Sequence, residues 1–576
     1  MRNPQEPQTI VDVLDRAAIE FAEKKIGFFS AQQTGSAATE ITFAQFRADV
    51  RSLAHKLRTA GVKAEMRAVV MANRNIDFLK AFGALSYCGA TITPLPPMLL
   101  SHMKSDHQVH TVLNSEQIDF VVTDESNAAL LSESGQAPEN IYVIPTDSGG
   151  YQDGCLATPS LPHLPEIGEK ELAWIQYTSG STSSPRGVAL THKNLVAGLR
   201  AGVAGARSEP HDVMCHSLPL FHSMGLLFTL SAFQCGHDLY ISTPDELLRH
   251  PENWLRKAQE FRASILGGPN AFFKYLTATI PQSKVAEYDL SAVRIILNGS
   301  ESIDPNSVQQ FAKHFRPARL KTTAMTPCYG LTEATLAVTC APFDTEIQVD
   351  WVDSRSLQPG HRVEVIDRSG HKARGIVNCG AAVPGVEVRI AHDAVPLPDQ
   401  VVGDVEVRGT PVMSTYYGES APAVSEDGWL STGDLGYLSN GCLYVTGRTK
   451  EILISAGTNY YPQDVESAVR QLPGILHENV AAVTLAPNPE AFLQERIGVV
   501  AETDSPSSAH RHIVSQIRSA AARQLNGTTV DVALIGPGGM LRTPGGKLQR
   551  LRMSEMLSAG TLPQVITYVS SNEMIS

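Results

Sequence analysis

Short apolar runs of strand length alternate, through much of the first three hundred residues, with longer stretches whose apolar positions recur every three or four residues. Ile10, Leu14, Ala17 and Phe21 fall on one helical face, as do Phe43, Phe46, Val50, Leu53 and Leu57. Ala68 to Met71 and Ala90 to Pro94 flank a helical Phe78 to Tyr87, and the alternation returns from Asp212 to Thr243 and from Ile265 to Leu297. Strands separated by helix-length segments cannot pair as tight hairpins. The chain must cross over, which gives parallel strands with helices laid on the sheet faces. The expected class is α/β, and 576 residues exceed one ordinary core, so more than one domain is expected.

After about Cys340 the texture changes to short β-branched runs separated by Gly, Pro and Asp: VEVRI (386–390), GDVEVRG (403–409) and CLYVTGR (442–448). Beyond Lys450 a third pattern begins. Pro462 stands where a helix can start, with Val465, Val469 and Leu472 on one face. Strands follow at Val480 to Leu485 and Ile497 to Ala501, a helix at Ile513 to Leu525, and a strand at Val530 to Ile535. This gives a large domain over 1–448 with a β subdomain at about 379–448, a hinge at 449–451 and a smaller α+β domain over 452–576. The stretch Ser132 to Gly154, rich in Ser, Gly, Asp and Pro, reads as a surface loop.

A net charge of −12 disfavours a general nucleic-acid or anionic-membrane surface. No apolar run reaches the eighteen or so residues of a membrane helix, and MRNPQEPQTI lacks a signal-peptide core, so no membrane insertion and a cytoplasmic location are expected. Eight scattered cysteines, with no CxxC pair and no HExxH nearby, read as reduced, mostly packed thiols.

The chemistry begins at YTSGSTSSPRG (177–187), between the apolar run Ala173 to Tyr177 and Thr191, an N-cap for the helix around Leu195. Six hydroxyls, the backbone N–H groups around Gly180 and Gly187, and Arg186 can surround anionic oxygens. The loop is not a Walker loop, since Pro185 falls where Gly-Lys is needed, and composition alone equally describes a solvated linker. Further segments follow in order: PLFHSMGL (219–226), NGSE (298–301), YGLTEAT (329–335), STGDLGYL (431–438), VTGRTKEILI (445–454) and TPGGKLQR (543–550). FHSMG lacks the first glycine of a nucleophile elbow, which argues against Ser223 as a nucleophile.

Together and in this order, these segments resemble the adenylate-forming superfamily of acyl-CoA synthetases, peptide-synthetase adenylation domains and luciferases. WIQYTSGST, LPLFHSMGL, GGPN (267–270), NGSE, YGLTEAT and NYYPQDVE (459–466) are most similar to its fatty acyl-AMP ligases. The extra segment of about 35 residues between Ala341 and Asn378 lies where that branch carries an insertion. The resemblance implies ATP and Mg2+ as cofactors, a fatty acid as substrate, and the phosphopantetheine thiol of an acyl carrier protein, or of a carrier domain in a polyketide or peptide synthase, as acceptor.

It also implies roles for residues. Thr178, Ser179, Gly180, Ser181, Thr182 and Arg186 would hold the β- and γ-phosphates. Tyr329 with Gly330 would lie against adenine, with Asn298, Gly299, Ser300 and Glu301 along its edge, and Asp434 would take the ribose hydroxyls beside Arg448. Thr332 would contact the α-phosphate, Glu333 with Thr178 would hold Mg2+, and His222 would line the carboxylate end of the acid pocket. Lys547 would reach in from the C-terminal domain to neutralise gathering charge, and Lys450 would be the pivot on which that domain turns. Gly268, Pro269 and Asn270, with the neighbouring 267–272 and 324–327 segments, are candidates for the acyl pocket or for ordinary core.

Two departures stand in the phosphate loop: Ser183 where glycine is usual, and Arg186 where lysine is usual. SAGTNYYPQ lacks an arginine often seen after the hinge, and Pro544 and Gly545 replace small hydroxyl residues. An acyl-CoA ligase using free coenzyme A, an enzyme for another carboxylic acid, and a non-catalytic nucleotide binder are the alternatives. The insertion separates the first of these: an ordered element at 341–378 packed on the large domain favours the carrier-protein reading. Arg542, Lys547, Arg550 and Arg552 form the one basic stretch offered to an acidic carrier protein.

Overall fold

The computed structural model describes residues 6–30, 37–98, 109, 112–113, 117–135, 140–145, 163–178, 186–370, 372–455, 458–476, 479–486, 496–542 and 547–571. Two large sheets form the N-terminal part. In the six-stranded sheet, Ile141–Val143, Phe120–Thr123, Arg67–Met71, Thr91–Pro94 and Leu172–Thr178 run parallel, and Arg186–Thr191 closes one edge antiparallel to its neighbour. In the nine-stranded sheet the central strands Met325–Leu331, Ile295–Asn298, Ile265–Gly268, Val213–His216, Asp238–Ile241 and Lys25–Phe28 are parallel, with antiparallel strands added at both edges.

The helices between these sheets are apolar nearly all round, as buried helices are. Asn75–Cys88 buries all but two of its fourteen residues, and Ser223–Cys235 all but two of its thirteen. Phe233 of the latter stacks on Phe43 of helix Phe43–Thr59 at 4.6 Å between ring centroids, joining helices from distant parts of the chain in one core. Removing that ring, as in Phe233→Ala, costs about 3–5 kcal/mol by loss of contacts and an unfilled cavity.

Strands Val386–His392, Gly403–Gly409, Leu430–Ser439 and Cys442–Arg448, with the edge strand Val395–Pro396, make a five-stranded antiparallel sheet. The turn Thr449–Glu451 follows. Beyond it Leu453, Val465, Val469, Val480, Ile497, Ile513 and Val532 build a separate core on the four-stranded sheet Val480–Leu485, Arg496–Glu502, Asp531–Ile535 and Val565–Val569.

Within 341–378, strands Val349–Asp353 and Ala373–Val377 pair as an antiparallel hairpin. Val352 and Ile376 of the hairpin and Leu357 between its strands pack with Val402, with Tyr437 and Tyr444 of the five-stranded sheet and with Tyr461 beyond the turn. Leu357 O accepts from Tyr461 Oη at 2.9 Å, Gln358 Nε2 donates to Asn459 O at 2.8 Å, and Lys372 Nζ donates to Asn526 Oδ1 at 2.8 Å. Arg374 lies 4.4 Å over the Tyr461 ring and 3.4 Å from Asp464. The 341–378 segment therefore contacts both the five-stranded sheet and residues beyond the turn Thr449–Glu451.

Three segments differ from the sequence expectations. Helix Glu125–Glu133, capped by Asp124, runs two residues into the Ser132 to Gly154 stretch that reads as loop, and Ile141–Val143 within that stretch is an edge strand; much of the rest of it lies outside the described residues. Helix Ser507–Gln524 begins six residues before Ile513, because its first turn follows Pro506 and carries no apolar period. Leu172–Thr178 and Arg186–Thr191, on either side of the phosphate loop, pair antiparallel, so a strand rather than the helix follows that loop directly.

Candidate active site

A cavity of about 520 Å³ opens where the two large sheets, the five-stranded sheet and the C-terminal part meet. Its floor is set by strand register. Asp434 on Leu430–Ser439 stands directly opposite Arg448 on Cys442–Arg448, and Arg448 Nε donates to Asp434 Oδ1 at 3.0 Å. Tyr329, at the end of the parallel strand Met325–Leu331, donates its Oη to Asp434 Oδ2 at 2.7 Å. Burial and the Asp434 charge push the Tyr329 phenol well above its usual range, so it stays a neutral donor. An aromatic face and a carboxylate are thus fixed side by side.

The next residues turn tightly. A Cβ on Gly330 would sit 1.7 Å from Leu336 O, so only glycine lets the returning strand approach. Thr332–Ala334 form one short helical turn, followed by Thr335 at φ 49° and Leu336 at φ 82°. Two non-glycine residues in the left-handed region, one of them β-branched, mark backbone held by its surroundings. Here Thr335 Oγ1 donates to Pro411 O at 2.6 Å and Met413 N donates to Glu333 O at 2.8 Å. The turn presents Thr332 and Glu333 to the cavity; Thr332 Oγ1 is 3.0 Å from Ser223 Oγ. Ser223 starts a helix and pairs with a hydroxyl there, which fits a structural role.

Thr178 and Arg186 face each other at the base of the hairpin and both line the cavity. Ser179, Gly180, Ser181 and Thr182 lie outside the described residues, as does Ser183. Arg186 is engaged on two sides. Its Nε and Nη2 donate to Glu419 at 2.8 and 2.6 Å, and its guanidinium lies 3.5 Å over the Tyr416 ring. Tyr416 Oη donates to Glu333 Oε1 at 3.2 Å, so cation, aromatic ring and carboxylate form one chain.

His222 opens onto the cavity at the start of helix Ser223–Cys235. The protein behind it and the nearby Lys547 charge push its pKa well down, leaving it neutral at pH 7. Lys547 comes from the C-terminal part, yet it lines the same cavity, within electrostatic reach of Arg448, Glu451, Asp434 and Glu301. Burial, then the Arg448 charge, lowers its pKa to about 8. Lys450, exposed in the turn Thr449–Glu451, also borders the cavity.

Away from these charges the cavity turns apolar. It runs between helix His192–Gly205, helix Ser223–Cys235 and strand Leu336–Cys340, lined by Leu199, Met214, Leu227, Phe228, Ala337 and Val383. Gly198, Gly202 and Gly205 share one face of the first helix. Added Cβ atoms on Gly198 and Gly205 would lie 2.5 Å from Thr335 Cγ2 and 2.6 Å from Val383 Cγ1, whereas one on Gly202 would meet nothing within 4 Å. The stripe admits close packing at its ends and leaves open space at its middle. This glycine spacing is the sequence signal for the pocket wall that motif reading passes over.

Two of the three expected acyl-pocket residues, Gly268 and Asn270, do not line the cavity. Pro269 borders the cavity beside Gly299 and Ser300, but Gly268 packs against Phe272, and buried Asn270 accepts at Oδ1 from Ser307 Oγ (3.0 Å) and Asn298 Nδ2 (3.3 Å). Asn298 is therefore turned into the core. Glu301 is turned away as well, its Oε1 accepting from Ala271 N at 2.5 Å in the first turn of helix Asn270–Thr279. Of NGSE, Gly299 and Ser300 face the cavity, Ser300 at φ 74°. The basic stretch dissolves too: Arg550 pairs with Glu466 (2.7 Å) and Glu451 (2.9 Å) in a largely buried cluster, and Lys547 faces the cavity.

Among the described residues no group of three His, Cys, Asp or Glu side chains is placed to hold a metal, and no helix is long and apolar enough to cross a membrane. Glu333 with Thr178 suits a hard cation completed by phosphate oxygens rather than a prebuilt cage.

A family model described as AMP-binding enzyme matches residues 15–417. The chain is 30% identical, over 91% of its own length and 89% of the relative's, to the long-chain-fatty-acid–AMP ligase FadD32 of Mycolicibacterium smegmatis. It is 28% identical, over 96% of each chain, to the medium-chain-fatty-acid–[acyl-carrier-protein] ligase JamA of Moorena producens. A solved structure from work on fatty acyl-adenylate ligases of E. coli and L. pneumophila superposes with a TM-score of 0.86 at 27% identity, covering 97% of this chain and 99% of that one. The chain belongs to the AMP-binding enzyme family, among its fatty acyl-AMP ligases.

Proposed function

We propose that the enzyme activates a fatty acid with ATP, releasing pyrophosphate and forming an acyl-AMP mixed anhydride, and then passes the acyl group to the phosphopantetheine thiol of an acyl carrier protein. The observation that carries this reading is Lys547 of the C-terminal part lining the same cavity as Tyr329, Thr332, Glu333 and Asp434, with an apolar pocket leading from it.

Tyr329 and Gly330 hold adenine against the Gly299–Ser300 backbone, and Asp434, oriented by Arg448, accepts from the ribose hydroxyls. Thr178 and Arg186, with Ser179, Gly180, Ser181 and Thr182, bind the β- and γ-phosphates. Glu333 with Thr178 would hold Mg2+, which when bound would supply charge neutralisation to the leaving pyrophosphate. His222, neutral, lines the carboxylate end of the acid pocket. Two anions must meet at the α-phosphate, and protonated Lys547, which lines the same cavity as Thr332, offsets their repulsion.

A tail of twelve carbons gains roughly 9 kcal/mol at about 0.8 kcal/mol per buried methylene before ordering costs, so apolar walls suffice to bind it. Residues 449–451 with Lys450 form the hinge for the second half-reaction, at the junction of two separate cores. The hairpin at 349–377, gripping both sides of that hinge, supports a carrier-protein acceptor over free coenzyme A. Purified enzyme with ATP, Mg2+ and a C12 acid is expected to accumulate acyl-AMP, to load a carrier protein and to make little acyl-CoA. Rapid acyl-CoA formation sinks the acceptor assignment, and no acyl-AMP at all sinks the activity.

A further inference from the structure

Two cysteines in the cavity wall touch each other. Cys328 on Met325–Leu331 is paired in register with Cys340 on the antiparallel strand Leu336–Cys340, and their Sγ atoms are 3.1 Å apart. Directly opposed residues on antiparallel strands have Cα atoms about 4.5–5.5 Å apart, within the roughly 4.4–6.8 Å that disulfides span. A bond between them needs side-chain rotation and no backbone movement. Both thiols are partly exposed, and both border the cavity, which gives a small oxidant a route to them. Neither has a part in adenylation as assigned above.

We propose that Cys328 and Cys340 are a redox-sensitive dithiol, which hydrogen peroxide converts to a cross-strand disulfide that slows adenylation. Contact with Cys340 and burial push the Cys328 thiol well above its usual pKa, and across the 3.1 Å contact either thiol can donate to the other. Take Cys340 as the sulfur that reacts first: it gives up its proton and attacks one peroxide oxygen. The O–O bond breaks, and the departing hydroxide takes the proton Cys340 gave up and leaves as water. Cys328 Sγ then attacks the resulting sulfenic sulfur; the S–S bond forms, the S–O bond breaks, and a second water leaves with the Cys328 proton. Two thiols and one peroxide give one disulfide and two waters: each sulfur loses one electron and each peroxide oxygen gains one.

The bond would tie the two legs of the turn that carries Tyr329, Thr332 and Glu333, immediately beside Tyr329. Small misplacements of positioning groups are costly to catalysis, and adenylation by the oxidised enzyme is expected to fall about tenfold and to recover with dithiothreitol. An acyl-adenylate analogue in the cavity should shield the pair.

The test uses full-length enzyme, hydrogen peroxide and peptide mass mapping. No Lys or Arg lies between Lys321 and Arg355, so both cysteines fall in the tryptic peptide 322–355, which should lose two hydrogens on oxidation. Cys328→Ser and Cys340→Ser should each abolish that loss and make adenylation, measured against each variant's own reduced activity, insensitive to peroxide. No loss of hydrogens, a link from either cysteine to the peptide containing buried Cys379, or a disulfide with unchanged adenylation overturns the proposal. The protecting analogue rests on the fatty acyl-AMP ligase reading. Hydrogen loss in an enzyme that neither binds the analogue nor makes acyl-AMP condemns that reading and leaves the thiol chemistry standing, whereas bound analogue without protection refutes the cavity route.

Discussion

Gly202 offers a direct measure of where the acyl tail lies. It borders the apolar part of the cavity, and an added Cβ would meet no atom within 4 Å, so Gly202→Leu puts its side chain into space rather than into protein. The four added carbons displace about three to four methylenes of a tail that reaches this depth. At about 0.8 kcal/mol each, that is about 2.4–3.2 kcal/mol, or roughly 60- to 200-fold in kcat/KM for long acids. Acids too short to reach Gly202 should be unaffected, so the preferred chain should shorten by about three to four carbons. Gly202→Ala, one carbon larger, should cost long acids no more than about fourfold and should raise stability by about 0.5–1 kcal/mol, since alanine replaces glycine inside a helix. Gly198→Ala and Gly205→Ala, which meet Thr335 and Val383, should lower Tm instead. The assay is acyl-AMP formation with saturated acids from C6 to C18, read by mass spectrometry. An equal loss at every length, or no loss at any, would mean that the tail does not pass Gly202.

Lys547→Ala should abolish acyl-AMP formation while ATP binding, measured by calorimetry, stays within a few-fold. Because burial lowers the Lys547 pKa to about 8, the needed cation is present below that pH, and kcat/KM should fall as pH rises through about 8; Lys547→Arg should move that limb upward. Asp434→Asn keeps the shape but loses charge-assisted bonds to the ribose and Arg448, which should lower kcat/KM for ATP about 10- to 150-fold, with the acid's KM little changed in a two-substrate matrix. Glu419→Gln should lower the KM for ATP by up to about fivefold, the worth of a half-exposed ion pair that phosphate must displace, and a raised KM would show that Glu419 helps to bind.

Segments whose signal is local could be read from sequence. The helix Phe43–Thr59 declares itself by period and by Thr42 with Gln45 as a capping box, and Thr191 with Asn194 does the same for the next helix in the site. Order along the chain led to Tyr329, Asp434, Arg448 and Lys547, which the fold brings to one cavity. What stayed hidden depends on register between distant strands or on which way a side chain turns. NGSE reads as one unit, yet alternation and a left-handed Ser300 send Asn298 into the core and Glu301 to a helix end, leaving Gly299 and Ser300 at the site. Cys328 and Cys340 are scattered thiols until the hairpin pairs them. A basic run near the C-terminus suggests a surface, but Glu466, more than eighty residues upstream, takes Arg550 into the interior.

The same dependence on distant partners gives Arg186 a physical reason in place of a bare departure from lysine. A lysine ammonium is a compact point charge, whereas the planar guanidinium of Arg186 binds both oxygens of Glu419 and lies flat on Tyr416 at once. Tyr416 in turn holds Glu333, so the proposed phosphate ligand and the proposed Mg2+ ligand are kept apart by one ring and each has a partner before nucleotide arrives. On the proposed reading, phosphate oxygens would replace the Glu419 carboxylate at Arg186 by another bidentate anion, and Glu333, held by the Tyr416 hydroxyl, would be the residue offered to Mg2+. The exchange at Arg186 swaps one anion for another, and the half-exposed Glu419 carboxylate it displaces returns to water. Release of pyrophosphate reverses it, with Glu419 competing for Arg186 and favouring departure of the leaving group.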